Sequence, residues 1–268
     1  MLLLNGDLLP TATLSWPNRG LLYGDGFFET LVVVNSRLRL AADHLARMQQ
    51  AAAALHLTLP AALASAEALG KALVELAHAN GLATARLRLK VWRAGAGLYA
   101  PPTDAAEWLA TADPFQENNA PIGQADFARD THSLFSPLSF CKGPQAWLYV
   151  RAAHERQQRG LEEIILCDAA GHVAEAGAAA LFWLKEGQLY TPALASGCVA
   201  GVRRAAILRA APPLGLPVRE GLFGQAALLA AEAAFTANVA GLRPVQAIGT
   251  QPLGAPPAAL LLALVEAQ

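Results

Sequence analysis

A mixed α/β chain of the α+β kind, organised in two halves, is the architecture this sequence predicts. Residues 84–93 alternate cleanly. Arg86, Arg88 and Lys90 lie on one face and Leu87, Leu89 and Val91 on the other, the two-residue period of a half-buried strand. Residues 42–56 instead place Leu45, Met48 and Leu55 at helical intervals with alanines between them. Between the two sets of elements, DPFQENNAPIGQ (113–124) is polar, rich in breakers and without period, as interdomain linkers are. The expected organisation is a smaller N-terminal α/β domain over 1–112, that linker, and a larger C-terminal domain over 125–268.

The elements follow in order. Residues 2–5 read as a short strand and 27–34 (FFETLVVV) as a strongly apolar one. Asn35-Ser36 then turns the chain into 37–40, a hairpin. Helices are expected over 42–56 and 61–78, the second ended by Asn80-Gly81. Strands follow over 84–93 and 107–112, and in the second half over 125–131. A helix is expected to start at Pro144 and to end at Gly160, because proline suits the first helical position and glycine the exit. The segments 162–168, 172–176, 179–185 and 188–192 read as one meander, with turns at Ala169-Ala170-Gly171 and Glu186-Gly187. Residues 201–210 form a helix stopped by Pro212-Pro213. QAALLAAEA forms another helix, EAAFTAN and LRPVQAIG form strands, and 256–266 closes the chain as a helix.

Composition excludes several function classes. The net charge is −1 with no long basic stretch, which disfavours nucleic acid and charged membrane surfaces as partners. No apolar run reaches the roughly 18 residues of a membrane span. The start, MLLLNGDLLPTATLSW, lacks a basic region and soon meets Asp7, unlike a signal peptide. Cys141, Cys167 and Cys198 are odd in number and widely spaced, and suggest neither disulfides nor a metal site. A reduced cytoplasmic protein is expected.

Lys142 stands out among only four lysines. It sits in SFCKGPQAWLYVRAAHERQQRG, where an extended segment turns into a helix. An amine held partly dehydrated at such a junction can form a Schiff base with a carbonyl cofactor. The plainer alternative is a surface lysine near a helix start.

Six segments then agree in order. They are NRGLLYGDGFFET (18–30), HLARM (44–48), the Lys142 segment, HVAEAGAAALFWLKEGQLYTP (172–192), GVRR (201–204) and FTANVAGLRPV (235–245). Together they resemble the class IV aminotransferase family, the fold-type IV pyridoxal-phosphate enzymes. That family includes branched-chain aminotransferases, D-amino-acid transaminases and 4-amino-4-deoxychorismate lyases. The resemblance implies a two-domain fold like that of D-amino-acid aminotransferase, with pyridoxal 5'-phosphate between the domains, and a homodimer.

The same resemblance assigns residues. Lys142 matches the cofactor tether and proton carrier, and Glu175 the carboxylate that keeps the pyridine nitrogen protonated. Arg47 matches the phosphate-binding arginine, since a guanidinium grips phosphate with two donors. Gly201 and Val202 match a backbone phosphate cradle at a helix start. Arg203 stands where many members have threonine, which leaves open whether its side chain meets the phosphate with charge in place of a hydroxyl. Thr236 and Asn238 fall on the opposite side of the phosphate site, with strand-end hydrogen bonding as their alternative role. Arg93 matches an arginine that holds a substrate carboxylate in some members, with a solvated strand end as its alternative. Tyr23 and Phe28 would be pocket walls. Asp25 and Glu29 are expected to bond backbone in their turn, Cys141 to be a small buried filler, and the five tryptophans to be mainly core and pocket lining. Ala180 replaces a common asparagine, which removes a structural hydrogen bond near Glu175.

The resemblance spans several reactions. Trp147 stands where branched-chain enzymes often place tyrosine, Gly95 where D-amino-acid enzymes often place histidine, and Arg203 in place of a cradle threonine usual in both. By elimination these point to 4-amino-4-deoxychorismate lyase, releasing pyruvate and 4-aminobenzoate from a small amino substrate. The alternatives are an aminotransferase using branched-chain or D-amino acids with 2-oxoglutarate, and a non-catalytic relative of the fold.

Overall fold

The computed structural model describes residues 1–143 and 146–266. Pro144 and Gln145, where the helix after Lys142 is expected to begin, lie outside the described residues. The chain forms two compact units. One comprises Met1–Gln116 with Cys141, Lys142 and Gly143, and the other Glu117–Phe140 with the chain from Ala146 onward.

The first unit contains β1 (Leu2–Leu4), β2 (Asp7–Leu9), α1 (Arg19–Leu22), β3 (Gly26–Val34), β4 (Arg37–Leu38), α2 (Ala41–Ala54), α3 (Ala66–Ala79), β5 (Ala85–Arg93) and β6 (Ala106–Pro114). Its six strands make one antiparallel sheet in the order β2-β1-β6-β5-β3-β4. The alternation of β5 is reproduced in space: Leu87, Leu89 and Val91 are fully buried. Helix α3 buries Leu69, Leu73 and Leu76, spaced four and three apart, as one helical face requires. Between β3 and β4, Asn35 and Ser36 have φ of 48° and 60°, the left-handed pair that a two-residue hairpin needs. The helix expected over 61–78 is interrupted. A 3-10 turn covers Ala61–Leu63, and α3 starts afresh because the Ser65 hydroxyl accepts the Ala68 amide at 3.1 Å.

The second unit contains β7 (Ala125–Ser133), α4 (Ala146–Gln158), β8 (Glu163–Asp168), β9 (Val173–Ala176), β10 (Ala180–Lys185), β11 (Gln188–Pro192), α5 (Val202–Ala210), β12 (Val218–Gly221), α6 (Gln225–Leu229), β13 (Ala233–Asn238), β14 (Gly241–Val245), β15 (Ala247–Ile248), β16 (Gln251–Pro252) and α7 (Ala258–Glu266). They form two five-stranded sheets, β12-β11-β10-β13-β14 and β16-β15-β7-β8-β9. The expected single meander over 162–192 is therefore corrected: β8 and β9 belong to one sheet, β10 and β11 to the other. The chain changes sheet at Gly177, whose amide donates to the Ile164 carbonyl at 2.8 Å and to Glu163 Oε1 at 3.3 Å. LRPVQAIG is likewise not one strand, since β14 and β15 lie in different sheets.

Period-two burial on both faces explains the layering. Leu181 and Trp183 of β10 point into the core between the sheets, with Ile165, Cys167 and Ile248. Phe182 of β10 stacks on Phe235 of β13 at 5.3 Å and faces α5 and α7 through Ile207 and Leu264. Helix α4 covers the outer face of β8, where Ala152 and Tyr149 meet Ile164 and Leu166. Of the tryptophans, Trp92, Trp108 and Trp183 are buried, whereas Trp16 and Trp147 are exposed, so core packing accounts for three of them. No helix among the described residues is long and apolar enough to cross a membrane.

Trp183 is packed on Tyr190 and edge-on against Phe223, with ring centroids 5.8 and 5.2 Å away. Trp183→Ala is expected to cost about 3–5 kcal/mol through the cavity it leaves between the sheets. Urea unfolding followed by circular dichroism measures this as a lower midpoint at unchanged slope.

Candidate active site

In the first unit the site is built on β3. The Phe28 amide donates to the Lys142 carbonyl at 2.8 Å, so the backbone of Lys142 is held by a sheet strand. Gly143 permits this approach, and Gly26 lets β3 lie close to β5. A Cβ on Gly143 would lie 2.8 Å from the Gly26 carbonyl oxygen and 3.0 Å from Phe27 Cα. A Cβ on Gly26 would lie 2.1 Å from the Val91 carbonyl oxygen. Lys142 is half-buried, not a solvated residue on a helix face.

The residue after Phe28 is Glu29, buried with its carboxylate inside a charged cluster. Arg47 Nε donates to Oε1 at 2.8 Å and Nη2 to Oε2 at 2.5 Å; His44 Nδ1 donates to Oε2 at 2.8 Å. His44 and Arg47 lie three apart on α2 and so share a face. Burial pushes the Glu29 carboxyl upward, but the Arg47 charge and the bonds from His44 and Arg47 outweigh it and bring it down to about 2. Cys141 feels the same cluster. Burial raises its thiol pKa, Arg47 opposes that rise and Glu29 adds to it. Arg47 is therefore a buried residue beside the Lys142 segment and not a helix-surface arginine.

The sequence leads us to expect Asp25 and Glu29 to bond backbone in their turn; their carboxylates instead bond arginine and histidine side chains. Asp25 accepts from Arg19 Nε at 2.8 Å and Arg93 Nε at 3.0 Å. Arg93 is buried, not at a solvated strand end. Its Nη1 donates to the His56 and Thr103 carbonyls and to Asp104, at 3.0, 3.2 and 2.8 Å, and its Nη2 donates to the Leu55 carbonyl. It clasps the chain around it, and a substrate carboxylate would have to displace these partners. Tyr23 is exposed, touches Tyr99 and donates its hydroxyl to the Gly97 carbonyl at 3.2 Å; Phe28 is half-buried.

In the second unit Glu175 lies on β9, buried. The Tyr149 hydroxyl of α4 donates to its Oε1 at 2.7 Å, and the Val199 amide donates to the same oxygen at 3.2 Å. These two donors hold the carboxylate although position 180 is alanine. Burial, and then the Glu175 charge, raise the Cys198 thiol to about 11. Helix α5 begins after Gly201, which supplies no side-chain cap to the first-turn amides. Val202, Arg203 and Arg204 of that turn are buried. Arg204 is engaged structurally, with Nη2 on the Pro192 carbonyl at 2.7 Å and on Glu220 at 2.6 Å. Thr236 is buried in the middle of β13. Asn238 closes the β13–β14 turn. It donates to the Ala178 carbonyl at 3.1 Å and accepts from the Ala240 amide at 2.8 Å, the strand-end role that was its alternative.

Sequence reasoning passed over His44 and Tyr149. Each carried a weak signal. His44 is three residues from Arg47 on one helix, and Tyr149 is a polar group in step with Ala152 on the sheet-facing side of α4.

The family model for amino-transferase class IV matches residues 26–248, and the chain belongs to this family. Class IV aminotransferases depend on pyridoxal 5'-phosphate. The branched-chain-amino-acid aminotransferase of Salmonella typhimurium is 33% identical over 95 residues, which is 35% of this chain and 31% of that relative, so the match spans about a third of the relative's length. The solved structure of 4-amino-4-deoxychorismate lyase from Pseudomonas aeruginosa is 28% identical, with a TM-score of 0.86 and coverage of 99% of this chain and 97% of that one. The branched-chain aminotransferase of the thermophilic archaeon Thermoproteus uzoniensis, solved with norvaline, is 26% identical, with a TM-score of 0.86 and coverage of 98% and 92%.

The donor set fits such a cofactor. The chain presents a sheet-anchored lysine, a buried carboxylate oriented by two neutral donors, and a helix start whose cap residue has no side chain to occupy the amides. Amides at a helix start favour a phosphate.

Gly143→Ala is expected to cost about 1–3 kcal/mol by overpacking against main chain. Its specific signature is faster hydrogen exchange at the Phe28 amide, while the amides of β5 away from Gly26 keep their protection. Glu29 supplies a pH test. Its folded value of about 2 lies below the ordinary 4.5. The stability it contributes is therefore complete above pH 4.5 and lost as the pH falls from there toward 2, roughly 3 kcal/mol in all. In acid unfolding series, the gap between the wild type and Glu29→Gln should narrow across that window and stay constant above it.

Proposed function

We propose that this chain is a pyridoxal-phosphate-dependent 4-amino-4-deoxychorismate lyase, acting as a cytoplasmic homodimer and releasing pyruvate and 4-aminobenzoate. The observation that carries this reading is the likeness to the Pseudomonas aeruginosa lyase over nearly the whole of both chains at 28% identity. In this reading Arg93, enclosed by Asp25, Asp104 and backbone carbonyls, keeps a structural role.

Bound pyridoxal phosphate supplies an electron sink that makes the hydrogen on the amine-bearing carbon acidic. In this reading Lys142 tethers the cofactor. Its amine then takes the proton from the amine-bearing carbon and delivers one to the departing enolpyruvyl group. Loss of that group as pyruvate leaves an aromatic ring, which drives the reaction. Glu175 holds the proton on the pyridine nitrogen. The phosphate is held by the first-turn amides of α5 at Val202 and Arg203, following Gly201, by the Thr236 hydroxyl and by Arg47. The Glu29 carboxylate keeps the Arg47 fork in one orientation. Asn238 shapes the neighbouring turn, and Tyr23 and Phe28 wall the pocket.

Amino-group transfer is the second reading, favoured by the 33% match to branched-chain aminotransferase. A direct comparison separates the two. Purified protein with added cofactor is assayed for pyruvate release from 4-amino-4-deoxychorismate, and for transfer from leucine or D-alanine to 2-oxoglutarate. Pyruvate release without transfer is expected. Transfer without pyruvate release would establish the second reading instead. Borohydride is expected to fix the cofactor on Lys142, seen by peptide mapping, and Lys142→Ala to lower turnover at least about a thousandfold. A wild type that never takes up the label would be a non-catalytic relative.

A further inference from the structure

We propose that Tyr149 is a positioning residue for Glu175, fixing by its hydroxyl which carboxylate oxygen is presented to the cofactor ring. This rests on the reading above that Glu175 serves the ring nitrogen.

A glutamate has freedom to lose before it can serve one fixed atom. Glu175 sits on β9, a strand of four residues, and its side chain has three rotatable bonds. A carboxylate that must meet one nitrogen at one angle needs its last torsion fixed, and that torsion is the broadest of the three. Tyr149 and Val199 both donate to Oε1, at 2.7 and 3.2 Å. They come from α4 and from the loop before α5, two separate elements of the same unit. Two donors converging on one oxygen fix the plane of the carboxylate and hence the place of Oε2. The shorter bond is the tyrosine's, and hydrogen bonds to charged groups are the stronger kind.

Tyr149 is suited to hold rather than to react. Its ring packs with Ala152 against Ile164 and Leu166, so the hydroxyl is aimed by the core beneath α4. Burial, then the Glu175 charge and the bond to it, push its phenol pKa far up, so the O–H stays a donor and takes no part in proton transfer. Tyr149→Phe keeps the ring and deletes the donor.

The test compares two cofactors on the apo-protein. One is pyridoxal 5'-phosphate. The other is its 1-deaza analogue, in which a C–H replaces the ring nitrogen and Glu175 has nothing to bond. Dissociation constants are read by equilibrium absorbance titration. Tyr149→Phe is expected to weaken pyridoxal phosphate about tenfold and to leave the deaza analogue within about twofold of wild type. Tyr149→Met, a second apolar filling of the same space, should show the same pattern and provides the measurement if the phenylalanine variant folds poorly. Equal weakening of both cofactors would mean the tyrosine is only packing, and no weakening of either would mean it is dispensable; each overturns the proposal. A wild type that binds neither cofactor would sink the functional reading itself, which is a distinct outcome.

Discussion

The bond from the Phe28 amide to the Lys142 carbonyl is the constraint from which the arrangement of the first unit around Lys142 follows. It requires two stretches of main chain to touch, and they touch because Gly143 carries no side chain. Strand β3 is paired along its length with β5, so the lysine backbone inherits the rigidity of a sheet. The next residue along the same strand, Glu29, organises Arg47 and His44. Of two consecutive strand residues, Phe28 thus holds the lysine through its backbone amide and Glu29 holds the cationic face of α2 through its side chain.

Two buried carboxylates, Glu29 in the first unit and Glu175 in the second, are stabilised differently. Glu29 is met by an arginine, which neutralises it as well as binding it, and its proton affinity falls accordingly. Tyr149 and Val199 orient Glu175 without cancelling its charge, and the neighbouring Cys198 thiol registers that charge. Glu163 shows a third arrangement. Burial raises its pKa, and backbone amides at Ile164 and Gly177 occupy it where the chain crosses between sheets.

Local pattern made much of the architecture legible. The alternation of β5, the helical spacing of α2 and the Asn35-Ser36 turn all act within a few residues, and all appear where expected. What misled was sheet membership. Four short apolar strands in succession look like a meander, because a strand buried on both faces carries no mark of which sheet it joins. Lys142, Glu175 and Arg47 were singled out from ordered motifs, and the structure buries Glu175 and Arg47. Arg93 looked available and is in fact enclosed by carbonyls from 55–56 and 103, contacts that no sequence window contains. Tyr149 went unnoticed because its partner lies 26 residues away on another element.

The sequence alone therefore determined the fold class, the family and the residue types that a pyridoxal-phosphate enzyme needs, since these depend on periodicity and on short motifs. Only the tertiary structure decided which strands share a sheet, which arginines are engaged by carbonyls and carboxylates, and which hydroxyl holds Glu175. Those outcomes depend on hydrogen bonds between segments far apart in the chain, where the geometry of donor and acceptor is set by packing and not by neighbouring residues.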